Sequence, residues 1–175
     1  LILVAKNKYA AQQLEGQRAS HTLSRVYLAL TEGHWNNQSK SGLIDRPIEK
    51  VPDCFNRYQV SDAGRPSRTE YEVLSEFSHE GTPFSLVRLK LQTGRTHQIR
   101  VHMASLGHPL LGDSLYHLSD TTNLFSRAAL HAWKLKFHPP FPAGETTSGI
   151  LSSIPCTENA KKEISLEAPL PEDFK

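Results

Sequence analysis

The stretch LKLQTGRTHQIRVHMASLGHPLLGD, residues 89–113, predicts the end of a strand, a tight turn and a short helix in immediate succession. Apolar and basic residues alternate through the strand, which we place at residues 84–91, and the pair Thr93-Gly94 ends it. No carboxylate occurs from residue 81 to residue 112. A basic segment without acids of its own is expected to face a negatively charged partner.

The helix that follows the turn is predicted from the spacing of three apolar residues. Ile99, Met103 and Leu106 recur on one inward face. Thr96 is a fair N-cap, and Gly107 supplies a left-handed stop. Free backbone N–H groups at a helix start favour an anion, and donor side chains gather at the same point. These side chains belong to Arg95, Thr96, His97 and Gln98.

Strands outnumber helices in the rest of the chain, which predicts an α+β fold. The turn signal Asp62-Ala63-Gly64 predicts that the strands on either side of it pair as a hairpin. We expect irregular loops at residues 34–51, 115–126 and 143–159. The expected elements are strands at residues 1–5, 24–33, 57–60, 67–77, 129–137 and 162–168, a short edge strand within 42–48, and a polar helix at 7–19.

The composition is that of a globular domain with one core. The 175 residues are 38% hydrophobic and 22% charged, which predicts a single domain over residues 1–175. The formal net charge of +2 is too small to indicate nucleic acid, so that inference depends on where the charges cluster. Cys54 and Cys156 form no disulfide framework of the secreted kind, which indicates a reducing, cytoplasmic compartment. No apolar run is long enough to cross a bilayer.

Metal and mononucleotide sites are not predicted. His97 and His102 are five residues apart and do not share a helical face, so they cannot form a metal pair of the HExxH kind. The other histidines have no ligand spacing either. A generic phosphate-ligand protein remains a weak alternative, because the chain contains no Walker or dinucleotide loop.

The stretch TGRTHQIRVHMASLGHPLLGD resembles the signature of the RluA-type RNA pseudouridine synthases. Other segments agree with this family in the same order and cover nearly the whole chain. The resemblance implies the pseudouridine synthase fold, which is a mostly antiparallel mixed sheet with flanking helices and a central RNA-binding cleft. The agreeing segments are LILVAKN at 1–7, RVYLALTEG at 25–33, GRPSRTEYEVL at 64–74, LHAWKLKFHPP at 130–140 and EAPLPEDF at 167–174.

The resemblance also implies an activity, the isomerisation of specific uridines to pseudouridine in structured ribosomal or transfer RNA. The family uses no cofactor and no metal, and we expect a monomer. The enzyme must lift its target nucleotide out of the stack before the base can be detached, rotated and rejoined through carbon. RNA is therefore the expected partner, and no membrane is expected.

One departure from the family pattern concerns the nucleophile. In this family the nucleophilic aspartate lies in an HRLD-like segment just before the strand that corresponds to residues 1–4. No such segment occurs in the 175 residues, so we expect an N-terminally incomplete catalytic domain that is inactive by itself. The alternative is an RNA-binding module without catalysis, either a truncated or a degenerate relative. Asp113 is tempting as a nucleophile, but the family match makes it a structural turn residue.

Two residues match catalytic positions of the family. Arg100 corresponds to the arginine that pairs with the nucleophilic aspartate, where a bidentate guanidinium would keep the acid ionised and aimed. A solvated helix face is its alternative interpretation. Tyr27 corresponds to the tyrosine that stacks beneath the flipped base, and a core aromatic is its alternative.

The remaining candidates are RNA contacts. Arg25 stands where the family usually has a basic residue and is a candidate phosphate contact, although an edge charge facing solvent is nearly as plausible. Structural roles stay open for several of the others, since Thr96 or Gln98 could cap the helix, His97 could be a satisfied imidazole, and Thr69 could serve packing alone. The full set of RNA-binding candidates is Arg25, Arg95, Thr96, His97, Gln98 and Thr69.

Overall fold

The structure is a computed structural model that describes residues 1–36, 38–117, 124–140 and 163–174. The helices within these ranges are α1 (Lys8–Ala19) and α2 (Gln98–Ser105), and a 3-10 turn spans Glu172–Phe174. The strands are β1 (Ser24–Glu32), β2 (Ser41–Asp45), β3 (Ile48–Lys50), β4 (Tyr58–Val60), β5 (Arg68–His79), β6 (Thr82–Leu91), β7 (Leu130–Phe137) and β8 (Ile164–Glu167). The predicted α+β class is confirmed.

Six strands form one sheet in the order β2-β5-β6-β1-β7-β8. Every ladder in the described part of this sheet is antiparallel, so the parallel pairs that a mixed sheet requires are not among the described residues. The strands β2 and β8 lie at the two edges, as the sequence predicts for both. The expected loop at 143–159 lies outside the described residues.

The apolar face of α2 packs against the middle of the sheet. Ile99 and Met103 of the helix share a core cluster with Ala29 of β1 and with Val87 and Leu89 of β6. Burial of such side chains stabilises by roughly 1.5–3 kcal/mol each. The helix is therefore held firmly at the centre of the molecule, and the predicted inward face is confirmed.

The opposite face of β6 carries the basic residues of the alternating pattern. Arg88 pairs with Glu72 of β5, and the Lys90 ammonium lies 3.4 Å from a carboxylate oxygen of Glu70. These acids belong to a neighbouring strand, so the pattern within β6 alone could not reveal them. Farther on, Arg95 in the turn has no carboxylate partner among the described residues, whereas Arg100 of α2 is paired with Asp113.

The predicted hairpin between residues 57–60 and 67–77 is wrong. Instead, β4 pairs with β3 in a separate two-stranded sheet, and β5 pairs with β2 and β6. After the turn, Arg65 exchanges backbone hydrogen bonds of 2.8 and 3.0 Å with Ile48. A Cβ on Gly64 would lie 2.5 Å from the Ile48 carbonyl carbon, so the glycine permits this close approach. The turn signal was correct, but the chain returns along β3.

The predicted strand at residues 1–5 is also wrong, because these residues have no regular secondary structure. The Leu1 amino group donates to the Ala132 carbonyl at 3.1 Å. β7 is already bonded to β1 along one edge and to β8 along Lys134–Phe137 of the other, which leaves little backbone for a further ladder. An apolar pattern cannot form a strand without a lateral partner that has free backbone groups.

Candidate functional site

The turn between β6 and α2 ends at a residue with left-handed backbone. His97 is the N-cap of α2, with φ 55° and ψ 18°, and its side chain makes no capping hydrogen bond. The prediction of Thr96 as N-cap is therefore wrong. The Gln98 side chain organises the turn instead, because its Oε1 accepts from the Arg95 N–H at 3.0 Å and from the Thr93 hydroxyl at 2.8 Å. A left-handed residue other than glycine costs about 1–3 kcal/mol, and such strain is concentrated at functional sites.

A buried neutral network anchors this turn to the sheet. Gln98 Nε2 donates to the Arg68 carbonyl and to Thr69 Oγ1, both at 2.9 Å. The Thr69 hydroxyl lies 2.9 Å from His102 Nδ1, and His102 Nε2 lies 2.9 Å from the Arg46 carbonyl. Since a carbonyl only accepts, Nε2 carries the proton and Nδ1 accepts from Thr69. Burial lowers the pKa of His102, which agrees with this neutral form.

We predicted that the polar side-chain atoms of Gln98 and Thr69 contact RNA. In the structure these atoms are instead hydrogen-bonded to protein groups. Gln98 is 2% exposed and Thr69 is fully buried. Any contribution of these two residues to RNA binding runs through the shape of the turn. Thr96, in contrast, is exposed, and Arg95 lies half-buried with its Nε donating to the Pro66 carbonyl at 3.1 Å.

A charged cluster lies at the same end of α2. Arg100 donates through Nε and Nη2 to the two carboxylate oxygens of Asp113, at 2.7 and 2.6 Å. The Asp113 side chain is fully buried, and its Oδ1 also accepts the backbone N–H groups of Leu115 and Tyr116. These bonds are those expected of a turn residue. Asp113 thus closes the turn and binds the guanidinium with the same carboxylate.

Electrostatics keep this ion pair charged. Burial alone would raise the pKa of Asp113, but the hydrogen bonds from Arg100 and from the Leu115 N–H outweigh burial and hold that pKa below its ordinary value. The hydrogen bond to Asp113 raises the pKa of Arg100 in turn. Arg100 uses two of its five N–H donors here, and the other three have no partner among the described residues.

Tyr116 connects the ion pair to His97. The Arg100 guanidinium carbon lies 4.9 Å from the centre of the Tyr116 ring. The Tyr116 hydroxyl accepts the Tyr58 N–H at 3.0 Å and lies 3.0 Å from His97 Nδ1. Burial, followed by the charge of Arg100, lowers the pKa of His97. A neutral His97 carries one N–H, and its Nδ1 either accepts from the Tyr116 hydroxyl or donates to it.

A cavity of about 400 Å³ opens beside β1 and is lined by Arg25, Tyr27 and Arg18 together with residues 1–3. Arg25 Nη2 donates to the Thr93 carbonyl at 3.2 Å. A Cβ on Gly94 would lie 2.9 Å from Arg25 Nη2, so the arginine is packed tightly against the turn. The structure therefore brings Arg25 and Tyr27 to one cavity, and Arg25 to the turn that precedes α2.

The structure does not bring every predicted site residue to one place. Arg100 lies in the cluster with Asp113 and is not among the residues that line the cavity beside Tyr27. Tyr27 packs against the core cluster that also receives Ile99 of α2, so that cluster connects the two regions. Sequence reasoning missed three residues of these surroundings: Arg18, Tyr58 and Tyr116. For Tyr116 a signal existed, since LGDSLY continues directly from the signature.

The part of the chain that the structure describes has neither a metal-binding cluster nor a membrane-spanning helix. In those residues, no three His, Cys, Asp or Glu side chains are grouped closely enough to hold a metal ion. Within the same ranges, no helix has the length and apolar character that a membrane crossing needs.

Comparison with known proteins identifies relatives. A family model described as RNA pseudouridylate synthase matches residues 1–105. The chain is 42% identical over 153 residues to the uncharacterized RNA pseudouridine synthase YhcT of Bacillus subtilis strain 168, over 81% of this chain and 49% of that protein. It is 41% identical over 147 residues to the ribosomal large subunit pseudouridine synthase D of Nitrosomonas europaea, over 80% of this chain and 41% of that protein. It is 38% identical over 144 residues to the dual-specificity RNA pseudouridine synthase RluA of Vibrio vulnificus, over 80% of this chain and 56% of that protein.

A solved structure agrees with these relatives. The human RNA pseudouridylate synthase domain containing 1 superposes with a TM-score of 0.70 at 28% identity, over 96% of this chain and 63% of that one. This confirms the pseudouridine synthase fold. The chain spans about half the length of the curated relatives described above. With this fold and these matches, the chain belongs to the RluA-type family of RNA pseudouridine synthases.

Proposed function

We propose that the protein isomerises specific uridines to pseudouridine in structured ribosomal or transfer RNA. The observation that carries this proposal is the open edge of Arg100, on a helix whose opposite face is buried in the core. An arginine with one edge fixed and three N–H donors left over suits a second carboxylate or a phosphate. Within this family, that second carboxylate is the nucleophilic aspartate.

The nucleophile belongs to an HRLD-like segment that the 175 residues do not contain. Its carboxylate would attack the uridine, and Arg100 would orient it from the open edge. Tyr27 would lie beneath the flipped base, as a half-buried ring in the wall of the cavity beside β1. The volume of this cavity, about 400 Å³, is within the usual range of small-ligand pockets, roughly 300–1,000 Å³.

RNA phosphates would bind along the turn that precedes α2. Arg25 and Arg18 approach Gly94 from the side of the cavity, and Arg95 and Thr96 extend the same surface. In the tautomer whose Nδ1 accepts from Tyr116, His97 would contribute its Nε2–H as a neutral donor, because burial and then the charge of Arg100 lower its pKa. These contacts would position the backbone of the RNA, whereas the flipped base would be recognised in the cavity.

The alternative is an RNA-binding module without catalysis. Asp113 is the one carboxylate bonded to Arg100 among the described residues, and its two oxygens are already engaged by that pair and by the turn. Without a further aspartate, such a chain would bind RNA and leave uridine unchanged. Under the main proposal, the 175 residues alone would behave in the same way.

The decisive experiment measures the hydrogen that leaves C5 of uracil when the new carbon–carbon bond forms. RNA labelled with tritium at C5 of uridine, taken from cells that lack the gene, is incubated with the whole protein. Release of about one tritium per modified site is expected, together with no release by the 175-residue chain. Binding without release by the whole protein would support the RNA-binding module. Saturable binding of free nucleotide without RNA affinity would favour a phosphate-ligand protein.

A further inference from the structure

We propose that Asp113 is a positioning residue for this reaction, because it fixes one edge of the Arg100 guanidinium so that the other edge meets the catalytic carboxylate. The inference rests on the proposed function. The sequence analysis gave Asp113 a structural role in the turn only, and the proposal adds a role in the reaction. Asp113 itself does not touch substrate in this proposal. It acts through Arg100.

The first support is geometric. Three contacts hold Arg100 in place. Its Nε and Nη2 donate to Asp113 at 2.7 and 2.6 Å, and the flat face of its guanidinium lies over the Tyr116 ring. The helix that carries it is packed against the core. A guanidinium fixed in this way cannot rotate about its last torsions without breaking two charged hydrogen bonds. Its remaining edge, Nη1 with one N–H of Nη2, therefore has a set direction.

The second support is that Asp113 is itself held by several contacts. Its Oδ1 accepts the N–H groups of Leu115 and Tyr116 at 3.0 and 3.2 Å, in addition to Arg100. The preceding Gly112 has φ 67°, and a Cβ there would lie 2.2 Å from the Arg127 carbonyl oxygen. The backbone before Asp113 is therefore packed tightly against Arg127. The carboxylate is a rigid support for the guanidinium.

The third support is the balance of charge. Arg100 and Asp113 together are neutral, so Arg100 cannot act on a second carboxylate as an uncompensated cation. The other ionisable groups that act on this cluster are His97, whose pKa is lowered, Tyr116, whose pKa burial raises, and Arg57 beyond Tyr116. With Asp113 present, the main role of Arg100 is therefore to orient the catalytic carboxylate, and it lowers the pKa of that carboxylate only a little.

This distinction predicts the effect of Asp113→Asn on the whole protein. The substitution keeps the shape but removes the compensating charge, so Arg100 becomes a freer and stronger cation. We expect kcat to fall at least about tenfold because the guanidinium loses its fixed direction, with KM within about twofold. We also expect the acid limb of the kcat/KM profile to move to lower pH, because the unshielded cation lowers the pKa of the nucleophile.

The matched control is Asp173→Asn. Both carboxylate oxygens of Asp173 accept from Arg127 Nη2, at 2.9 and 2.7 Å, but this pair is exposed. The same chemical change there should leave kcat and the acid limb as in the unmodified protein. Asp113→Glu is a second variant that keeps the charge but displaces it by one methylene. It should reduce kcat while the acid limb stays in place.

Several outcomes would overturn the proposal. One is an unchanged kcat in Asp113→Asn. Another is a loss of activity that merely matches the loss of folded protein in a thermal melt, with the acid limb of the kcat/KM profile unchanged. If Asp113→Asn does not fold, the test passes to Asp113→Glu. An unaltered kcat in Asp113→Glu would show that Asp113 is a structural anchor only. Unfolding of both variants would lead to the same conclusion. Failure of the proposed function looks different, because the unmodified protein would then release no tritium.

Discussion

Two polar clusters are built on the same helix, and they differ in what they leave unpaired. Gln98 heads a buried neutral network in which the atoms of Thr69 and His102 also find protein partners. Arg100, two residues later and about 200° around the helix, binds Asp113 but keeps three N–H donors without a partner among the described residues. Burial with complete internal pairing indicates a structural role. An anchored charge with donors left over indicates a role toward another molecule.

The largest effect is expected from Gln98→Leu, which tests the structural side of this comparison. The change removes all four hydrogen bonds of the Gln98 side chain, although the Arg68 carbonyl keeps the Gln92 N–H and the Thr69 hydroxyl keeps His102. Each such hydrogen bond contributes about 1 kcal/mol net, so the loss of all four should lower the free energy of unfolding by about 4 kcal/mol. Urea denaturation followed by the fluorescence of the buried Trp35 measures it.

Gln59→Leu is the control for this prediction. Gln59 is exposed and donates to Glu49 at 3.0 Å, so its loss should change the free energy of unfolding by less than about 0.5 kcal/mol. A Gln98→Leu protein as stable as the control would show that the network does not hold the turn.

Arg100→Lys tests the functional side in the whole protein. Lysine keeps the charge but loses the planar fork, so it cannot bind Asp113 through one edge and a second carboxylate through the other. We expect turnover to fall by about 100-fold, with RNA affinity within a few fold, because orientation is lost while backbone attraction remains. Tritium release and filter binding give the two quantities.

Arg127→Lys, in the exposed pair with Asp173, provides the matched control and should retain normal turnover. A fall in RNA affinity as large as the fall in turnover would instead assign Arg100 to a phosphate contact.

The neutral state of His102 makes the structural network sensitive to acid. Burial lowers its pKa from the ordinary 6.5, so between the two values the unfolded chain binds more protons than the folded one. Stability from this residue is therefore complete above about pH 6.5 and declines as the pH falls below it, by at most about 1.4 kcal/mol per pH unit. His97 contributes with the same sign.

Urea denaturation across pH 5–8 checks this prediction. In His102→Gln the decline below about pH 6.5 should become shallower. The same substitution at His79, on the exposed end of β5, should leave the decline in place. Equal slopes in the two variants would remove His102 as its source.

The sequence predicted the parts of this site that depend on near neighbours along the chain. The alternation in β6, the break at Thr93-Gly94 and the apolar face of α2 are local patterns, and the structure has all three. The partner of Arg88 was not predictable in this way, since Glu72 lies on another strand. The pairing of Arg100 with Asp113 was missed for a related reason, because it depends on how the chain turns after α2.

Helix capping shows a second limit. Thr96 has the chemistry of an N-cap, yet the N-cap lies one residue later, at a left-handed His97, and α2 begins at Gln98. The propensity of threonine is worth about 1 kcal/mol, and the hydrogen bonds of the Gln98 side chain, with two acceptances and two donations, outweigh it. A tertiary network can thus move an element boundary that local preference places elsewhere.

Arg95 lies between the two clusters, and Arg95→Ala should produce the smallest effect. Its backbone N–H belongs to the neutral network, while its side chain is bonded to described protein groups only through Nε, at the Pro66 carbonyl. If its guanidinium contacts a phosphate, the substitution should weaken RNA binding a few fold and reduce the slope of log affinity against log salt by about 1. Arg88→Ala removes a cation that already has Glu72 as its partner, so the salt slope should stay unchanged. Equal slopes of log affinity against log salt in the two variants would show that Arg95 does not contact a phosphate. The proposed RNA contacts would then be limited to Arg100 and its neighbours.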